Sequence, residues 1–239
     1  MKTVFLWISF FLVHVLMAQD TISYKHLLES PMILSSGVDF YGKRVSSFAE
    51  HWQKKYASIE KSGLVDLLIV QDRKTKKYGY VTLKNEVVIP LEYEQAQPFG
   101  YPDKIAWVKK KNKWGAITPQ GKLVIPFVYD QADYFSANFS LEGLNIARVQ
   151  RNGKWGYVNK EGKEVIPVIY DQIRDYFFKG ICQAMREGKY GFVNTQGKEV
   201  IPFIYDFVSL SNVGEGSIMA YLNGKRVYMD LQGNLKIGD

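Results

Sequence analysis

Lys154 to Gln172 reads KWGYVNKEGKEVIPVIYDQ, and near copies of it occur three more times in the chain. The copies align on a glycine that follows an aromatic residue, at Gly79, Gly115, Gly156 and Gly191, spaced 36, 41 and 35 residues apart. A proline follows each glycine at constant distance, at Pro90, Pro126, Pro167 and Pro202. Each proline is followed by a tyrosine, at Tyr93, Tyr129, Tyr170 and Tyr205, and then by an acid, Glu94, Asp130, Asp171 or Asp206. Constant spacing inside a copy with variable spacing between copies identifies a rigid unit joined by connectors that absorb insertions. The longest interval contains Ser136 to Leu144, the expected inserted loop.

Local signals inside the unit specify strands and tight turns. Asn152-Gly153 is a two-residue hairpin turn, matched by Glu187-Gly188 and Asn223-Gly224. A second turn falls at Glu161-Gly162, with Gln120-Gly121 and Gln196-Gly197 in register, and Asn85 stands in for the glycine because Asn tolerates positive φ. The strands flanking these turns are Ile146 to Gln150, then Trp155 to Asn159, then Glu164 to Ile166. Pro167, with no N–H to donate, is expected to end the pairing of the third strand. The unit is thus predicted to be a three-stranded antiparallel meander. The aromatic before glycine is Tyr78, Trp114, Trp155 or Tyr190, and exchange between Trp and Tyr suits packing better than catalysis. On that reading Trp114 is a buried aromatic, and truncating it costs about 3 kcal/mol or more. The glycine after it, in mid-strand, predicts close approach of a ring or a neighbouring backbone. The Tyr-Asp pair is expected to turn the chain and dock it on the next unit.

The copies KYGYVTLKNEVVIPLEYE, KWGAITPQGKLVIPFVYD, KWGYVNKEGKEVIPVIYD and KYGFVNTQGKEVIPFIYD together resemble the WG-containing repeat family. The resemblance covers roughly residues 64 to 235. Two copies carry Tyr for Trp, and a last partial unit, Ser217 to Gly233, has Arg226-Val227 where the aromatic-glycine pair would be. The resemblance implies a β-rich repeat, common in bacterial exported proteins, with no catalytic residues and no cofactor.

One meander cannot bury both of its faces, so the copies are expected to stack into a continuous core. The predicted fold is an all-β repeat array over residues 64–235, ending in a tail at 236–239. An open solenoid-like array is the first expectation and a closed propeller-like ring the second. Residues 19–63 are expected to form a helical or irregular N-terminal cap. Ser47 to Glu50 is a capping box, and Phe48, Trp52, Tyr56 and Ile59 share one face of a helix running to Ser62. Such a helix would cover the exposed edge of the first unit.

Residues 1–18 read as a signal peptide: Lys2, then an apolar run from Val4 to Met17, then Ala18 before the cut. The protein is therefore expected to be periplasmic or extracellular, with no transmembrane span once the signal is removed. Cys182 is the only cysteine, so no intrachain disulfide forms and no cysteine cluster holds a metal. The composition, 46% hydrophobic and 23% charged, supports a packed core without such staples.

Reactive constellations are sparse. Neither a nucleophile elbow nor a phosphate-binding loop is present. His26 and His51, the histidines beyond the signal, lie outside the repeats and show no zinc-ligand spacing. The repeated acids offer one carboxylate per turn where calcium needs six to eight oxygens, so turn capping is their expected role. Glu161, Glu164, Asp171 and Asp175 fit no recognised hydrolase pattern. The formal charge of +7 is spread over hairpin turns and suits a solvated rim or weak attraction to an anionic surface. Nucleic acid is not an expected partner of an exported chain. The sequence thus predicts a non-catalytic binding or scaffold module for another protein. A module for envelope glycan is the alternative, and a hydrolase with an unrecognised site the least favoured reading.

Overall fold

A computed structural model describes residue 52 and residues 54–63, 65–100, 104–135, 145–209 and 217–236. These residues form five four-stranded antiparallel sheets. The first sheet holds β1 (Tyr56–Lys61), β2 (Leu67–Asp72), β3 (Tyr78–Thr82) and β4 (Val87–Tyr93). The second holds β5 (Gln95–Ala96), β6 (Ala106–Lys110), β7 (Lys113–Ile117) and β8 (Leu123–Tyr129). The third holds β9 (Gln131–Ala132), β10 (Ile146–Arg151), β11 (Lys154–Asn159) and β12 (Glu164–Tyr170). The fourth holds β13 (Gln172–Ile173), β14 (Ile181–Arg186), β15 (Lys189–Asn194) and β16 (Glu199–Tyr205). The fifth holds β17 (Phe207–Ser209), β18 (Ile218–Leu222), β19 (Lys225–Met229) and β20 (Leu235–Lys236). The chain divides into two compact units; the first sheet lies in one, apart from Tyr93, and the other four sheets lie in the second.

The unit therefore has four strands where the sequence predicts three. The extra strand is the short Gln-x segment after the Tyr-Asp pair. In the third sheet Gln131 and Ala132 pair with Gln150 and Val149. Two residues carry no readable periodicity, which is why the segment reads as a connector. The consequence is that the chain passes from one sheet to the next over a single residue: Asp130 separates β8 from β9, and Asp171 separates β12 from β13.

The proline does not end pairing either. β12 runs through Pro167 to Tyr170, and Trp155 faces Tyr170 while Tyr157 faces Ile166, with register breaks between them. The strand bulges at the proline and resumes. Bulges and edge strands are where sheets accommodate a missing N–H. β12 is the outer strand of its sheet, and the exposed Pro167 sits on it, as Pro202 does on β16. The Glu164 carboxylate accepts the Val168 N–H at 3.2 Å beside the bulge.

Both turn families form as the dipeptides require. Asn152 and Gly153 have φ of 52° and 75°, the left-handed pair of a type I′ hairpin turn. Asn85, at φ 66°, occupies the position that Gly121, Gly162 and Gly197 hold in the other copies.

In the first unit, Trp52, Lys54 and Lys55 are helical, but Tyr56–Lys61 is strand β1 and not the continuation of a helix to Ser62. The first sheet has no preceding copy to supply its short strand. β1 takes that place against β2, with an irregularity between Tyr56 and Ser58. The aromatic spacing that reads as helical still serves burial: Trp52 and Tyr56 meet edge-on at 5.6 Å and pack with Val70 and Val81. The predicted helix before residue 52, the signal segment, the loop at 136–144 and most of the C-terminal tail lie outside the described residues.

In the second unit the core lies between consecutive sheets. Val158 packs with Trp107, Ala116 and Ile125 of the second sheet. Its neighbour Tyr157, on the opposite face of β11, packs with Ile173, Cys182 and Val193 of the fourth. Phe192 continues the series with Ile218, Ala220 and Met229 of the fifth. Alternation along the Gly-aromatic-Val strand thus sends one side chain to the sheet before and the next to the sheet after.

Candidate functional site

The repeat positions all find structural roles, and these define what remains for function. Gly156 is the strand position over which the bulge folds: a Cβ there would stand 2.6 Å from the carbonyl oxygens of Ile166 and Pro167. Gly79, Gly115 and Gly191 are equally closed by backbone within 2.6 to 2.7 Å. Tyr93, Tyr129, Tyr170 and Tyr205 are buried, and Pro90, Pro126, Pro167 and Pro202 are exposed. The aromatics before glycine, Tyr78, Trp114, Trp155 and Tyr190, are only half-buried, which corrects the expectation of a fully buried Trp114. Trp114 and Trp155 lie along the edges of the core clusters and carry cations on their faces, Lys109 at 5.9 Å and Arg148 at 4.7 Å.

The acid after tyrosine clasps two copies together. Asp130 accepts from the Lys113 ammonium of its own copy and, at 2.7 Å, from the Asn152 N–H in the next hairpin turn. Asp171 repeats this with Lys154 and Gly188, and Asp206 with Lys189 and Gly224. The lysine ammonium and the turn N–H hold all three carboxyls below the usual carboxylate range. The lysine before the aromatic, the acid and the hairpin turn are thus one device. Among the described residues no three His, Cys, Asp or Glu side chains gather in a metal-holding group.

Function is better sought where one copy departs from its sisters. Between the third and fourth sheets lies an open cleft of about 400 Å³, walled by Trp155 and Tyr190, the aromatics that precede glycine in two successive copies. Arg148, Gln172, Arg174, Asp175 and Gln183 reach it. Arg148 pairs across its hairpin with Tyr157, and Gln183 in the same register with Phe192. The equivalent residues in the other sheets are Ile69, Trp107 and Met219. In the second sheet Trp107 is buried and stacks on Phe135 at 5.3 Å, so that position is filled with apolar bulk. In the third and fourth sheets it is polar.

These polar groups are held in place. The Arg148 guanidinium lies over Trp155, donates to Asp133 at 2.7 Å and to the Ile173 carbonyl at 3.1 Å. Gln183 is only 7% exposed, and its side-chain oxygen accepts from Arg174 at 3.4 Å. The Arg174 carbonyl accepts the Tyr157 hydroxyl at 2.5 Å and the Cys182 thiol at 3.5 Å. Burial pushes the Cys182 thiol up to about 12 and raises the Tyr157 phenol well above its usual value. Burial thus favours the protonated form of both, and both side chains donate to the Arg174 carbonyl behind the cleft. The arrangement is equipped to hold a ligand by hydrogen bonds and ring contacts. Arg148, Arg174 and Gln183 escape a reading based on what the copies share; aligning the strand position opposite the residue after glycine would have found two of them.

No curated protein matches the chain. Among solved structures, a eukaryotic initiation factor is similar at 10% identity and a TM-score of 0.39, over 76% of this chain and 54% of that one. Hsv2 of Kluyveromyces lactis is similar at 11% identity and a TM-score of 0.33, over 71% of this chain and 59% of that one. A protein of unknown function from Bacteroides caccae matches at 10% identity and a TM-score of 0.26, over 75% of this chain and 79% of that one. The chain thus spans less than two thirds of the length of the first two. The WG containing repeat matches four times in succession, over residues 78–114, 114–155, 155–190 and 190–225. With four consecutive matches over residues 78–225, more than half of its length, the chain belongs to the WG containing repeat family.

Proposed function

We propose that this chain is an exported, non-catalytic repeat module that binds another protein through the outer strands of its sheets. The observation that carries the reading is a set of exposed apolar side chains on those strands. Ile169 and Ile204 occupy the same place in successive copies and are 46% and 45% exposed. In the fifth sheet Phe207, on the edge strand β17, is 48% exposed and lies 6.3 Å from its cross-strand partner Tyr221 on the neighbouring inner strand β18, which is 37% exposed. Large apolar residues recurring outside the core at fixed repeat positions suit the extended binding surfaces of repeat proteins. The prolines beside them keep the outer strands from adding further strands, so recognition there falls to side chains.

The test is crosslinking in intact cells with a membrane-impermeant reagent, followed by mass spectrometry of what is joined to the protein. One protein recovered in proportion to the bait, and lost from Ile169→Ser/Ile204→Ser, is the expected result. Labelling that occurs only after lysis would contradict export. A capture unchanged by the double substitution would contradict this surface.

A further inference from the structure

We infer that the cleft between the third and fourth sheets is a saccharide-binding site, taking a neutral sugar ring or a short oligosaccharide in addition to the protein partner proposed above. Its first support is the departure from the repeat. Arg148 and Gln183 stand where the sister copies place Ile69, Trp107 and Met219, and these two polar substitutions, in adjacent sheets, open on one cleft. A repeat that fills this position with apolar bulk elsewhere gains nothing in packing from a buried amide; a buried polar group adds to the cost of folding unless it is partnered.

The second support is the chemistry of the walls. The cleft presents a guanidinium on Arg174, a carboxylate on Asp175, the amide of Gln183 and two aromatic rings, Trp155 and Tyr190. Vicinal sugar hydroxyls each donate and accept, and planar side chains such as these bridge two neighbouring hydroxyls with paired hydrogen bonds. The C–H face of a pyranose lies against aromatic rings, which offer an apolar body with a polar edge. Charge is balanced: Arg148 is paired with Asp133 at 2.7 Å, and Arg174 stands beside Asp175 in the wall. A balanced site favours a neutral polyol over an anion. A peptide strand would look for backbone partners along a sheet edge, whereas the atoms named here belong to side chains.

The third support is preorganisation. Arg148 is fixed by a ring, a carboxylate and a carbonyl, and Gln183 by its burial and by Arg174. Polar groups ordered before the ligand arrives lose little freedom on binding. The cleft volume of about 400 Å³ falls in the range of small-ligand sites.

The experiment uses the full chain with cellotriose, maltotriose, xylotriose and the trimer of N-acetylglucosamine as probes. Saturation-transfer NMR reads contact, and calorimetry reads affinity. The expected result is transfer to the ring protons of at least one trisaccharide, with an affinity that does not change between low and high salt. Arg174→Met, at an exposed side chain, lowers that affinity at least tenfold, and Gln183→Met does the same while the circular dichroism spectrum stays constant. Lys198→Gln, at a remote exposed turn, leaves it unchanged. Transfer from none of the four sugars overturns the inference, and so does affinity equal in Arg174→Met and the parent chain. An affinity that collapses with salt would assign the cleft to an anion instead. The crosslinked partner of Ile169 and Ile204 survives Arg174→Met, so failure of the sugar site and failure of the protein-binding reading are separable.

Discussion

At the residue scale, the glycines divide into two kinds that sequence alone does not separate. Gly153 has φ 75° and open space around it, so an added Cβ meets strain and no neighbour. Gly156 is ordinary strand backbone, but its Cβ would collide with two carbonyl oxygens that cannot move without reshaping the proline bulge. Gly153→Ala is therefore expected to cost about 1 kcal/mol, and Gly156→Ala about 2–3 kcal/mol. Urea unfolding of the two variants measures the difference; equal losses would contradict the assignment of close approach to Gly156. The half-buried Trp155 belongs to the same scale. Its partners are Tyr170 across the bulge and Arg148 above the ring, so it is a hinge between core and cleft rather than a core residue.

At the scale of elements, the acid that separates two sheets acts electrostatically. Asp130, Asp171 and Asp206 are held below the usual carboxylate range by a lysine ammonium and turn N–H groups, so their contribution is present above the unfolded value and disappears as pH falls through the folded one. Stability is expected to decline as pH drops below about 4, and the Asp130→Asn/Asp171→Asn/Asp206→Asn chain is expected to lose stability at neutral pH and show a flatter acid limb. Thermal melts from neutral to acid pH check this. An acid limb as steep in the triple variant as in the parent would place the sensitivity elsewhere.

Much of this level is legible in the sequence, because hairpin dipeptides and fixed spacings state the backbone geometry directly. Asn85 at positive φ is an example. The short strands β9 and β13 are not legible, since two residues have no period and their identity depends on what the next copy offers to pair with. Tyr56–Lys61 misreads as helix for a related reason. Tyr56 and Ile59 satisfy helical spacing, but the vacant strand position on the first sheet decides the outcome, and local pattern contains no record of it. The cleft is the hardest part to read, because its residues break the pattern that makes the rest readable.

At the scale of the whole molecule, the four sheets of the second unit share their cores pairwise, so each copy completes the burial of its neighbours. The copies thus account for the architecture, and the polar departures at Arg148 and Gln183 are free of it. Restoring apolar residues there separates the two. The most direct measurement is the melting temperature of Arg148→Met/Gln183→Met against the parent chain. Gln183→Met removes a buried amide, and Arg148→Met leaves Asp133, whose side chain is 44% exposed, to water and not as an uncompensated buried charge, so the account predicts a cooperative transition at an unchanged or higher temperature. A lowered or broadened transition would contradict it, and would make Arg148 and Gln183 part of the scaffold rather than of a site built upon it.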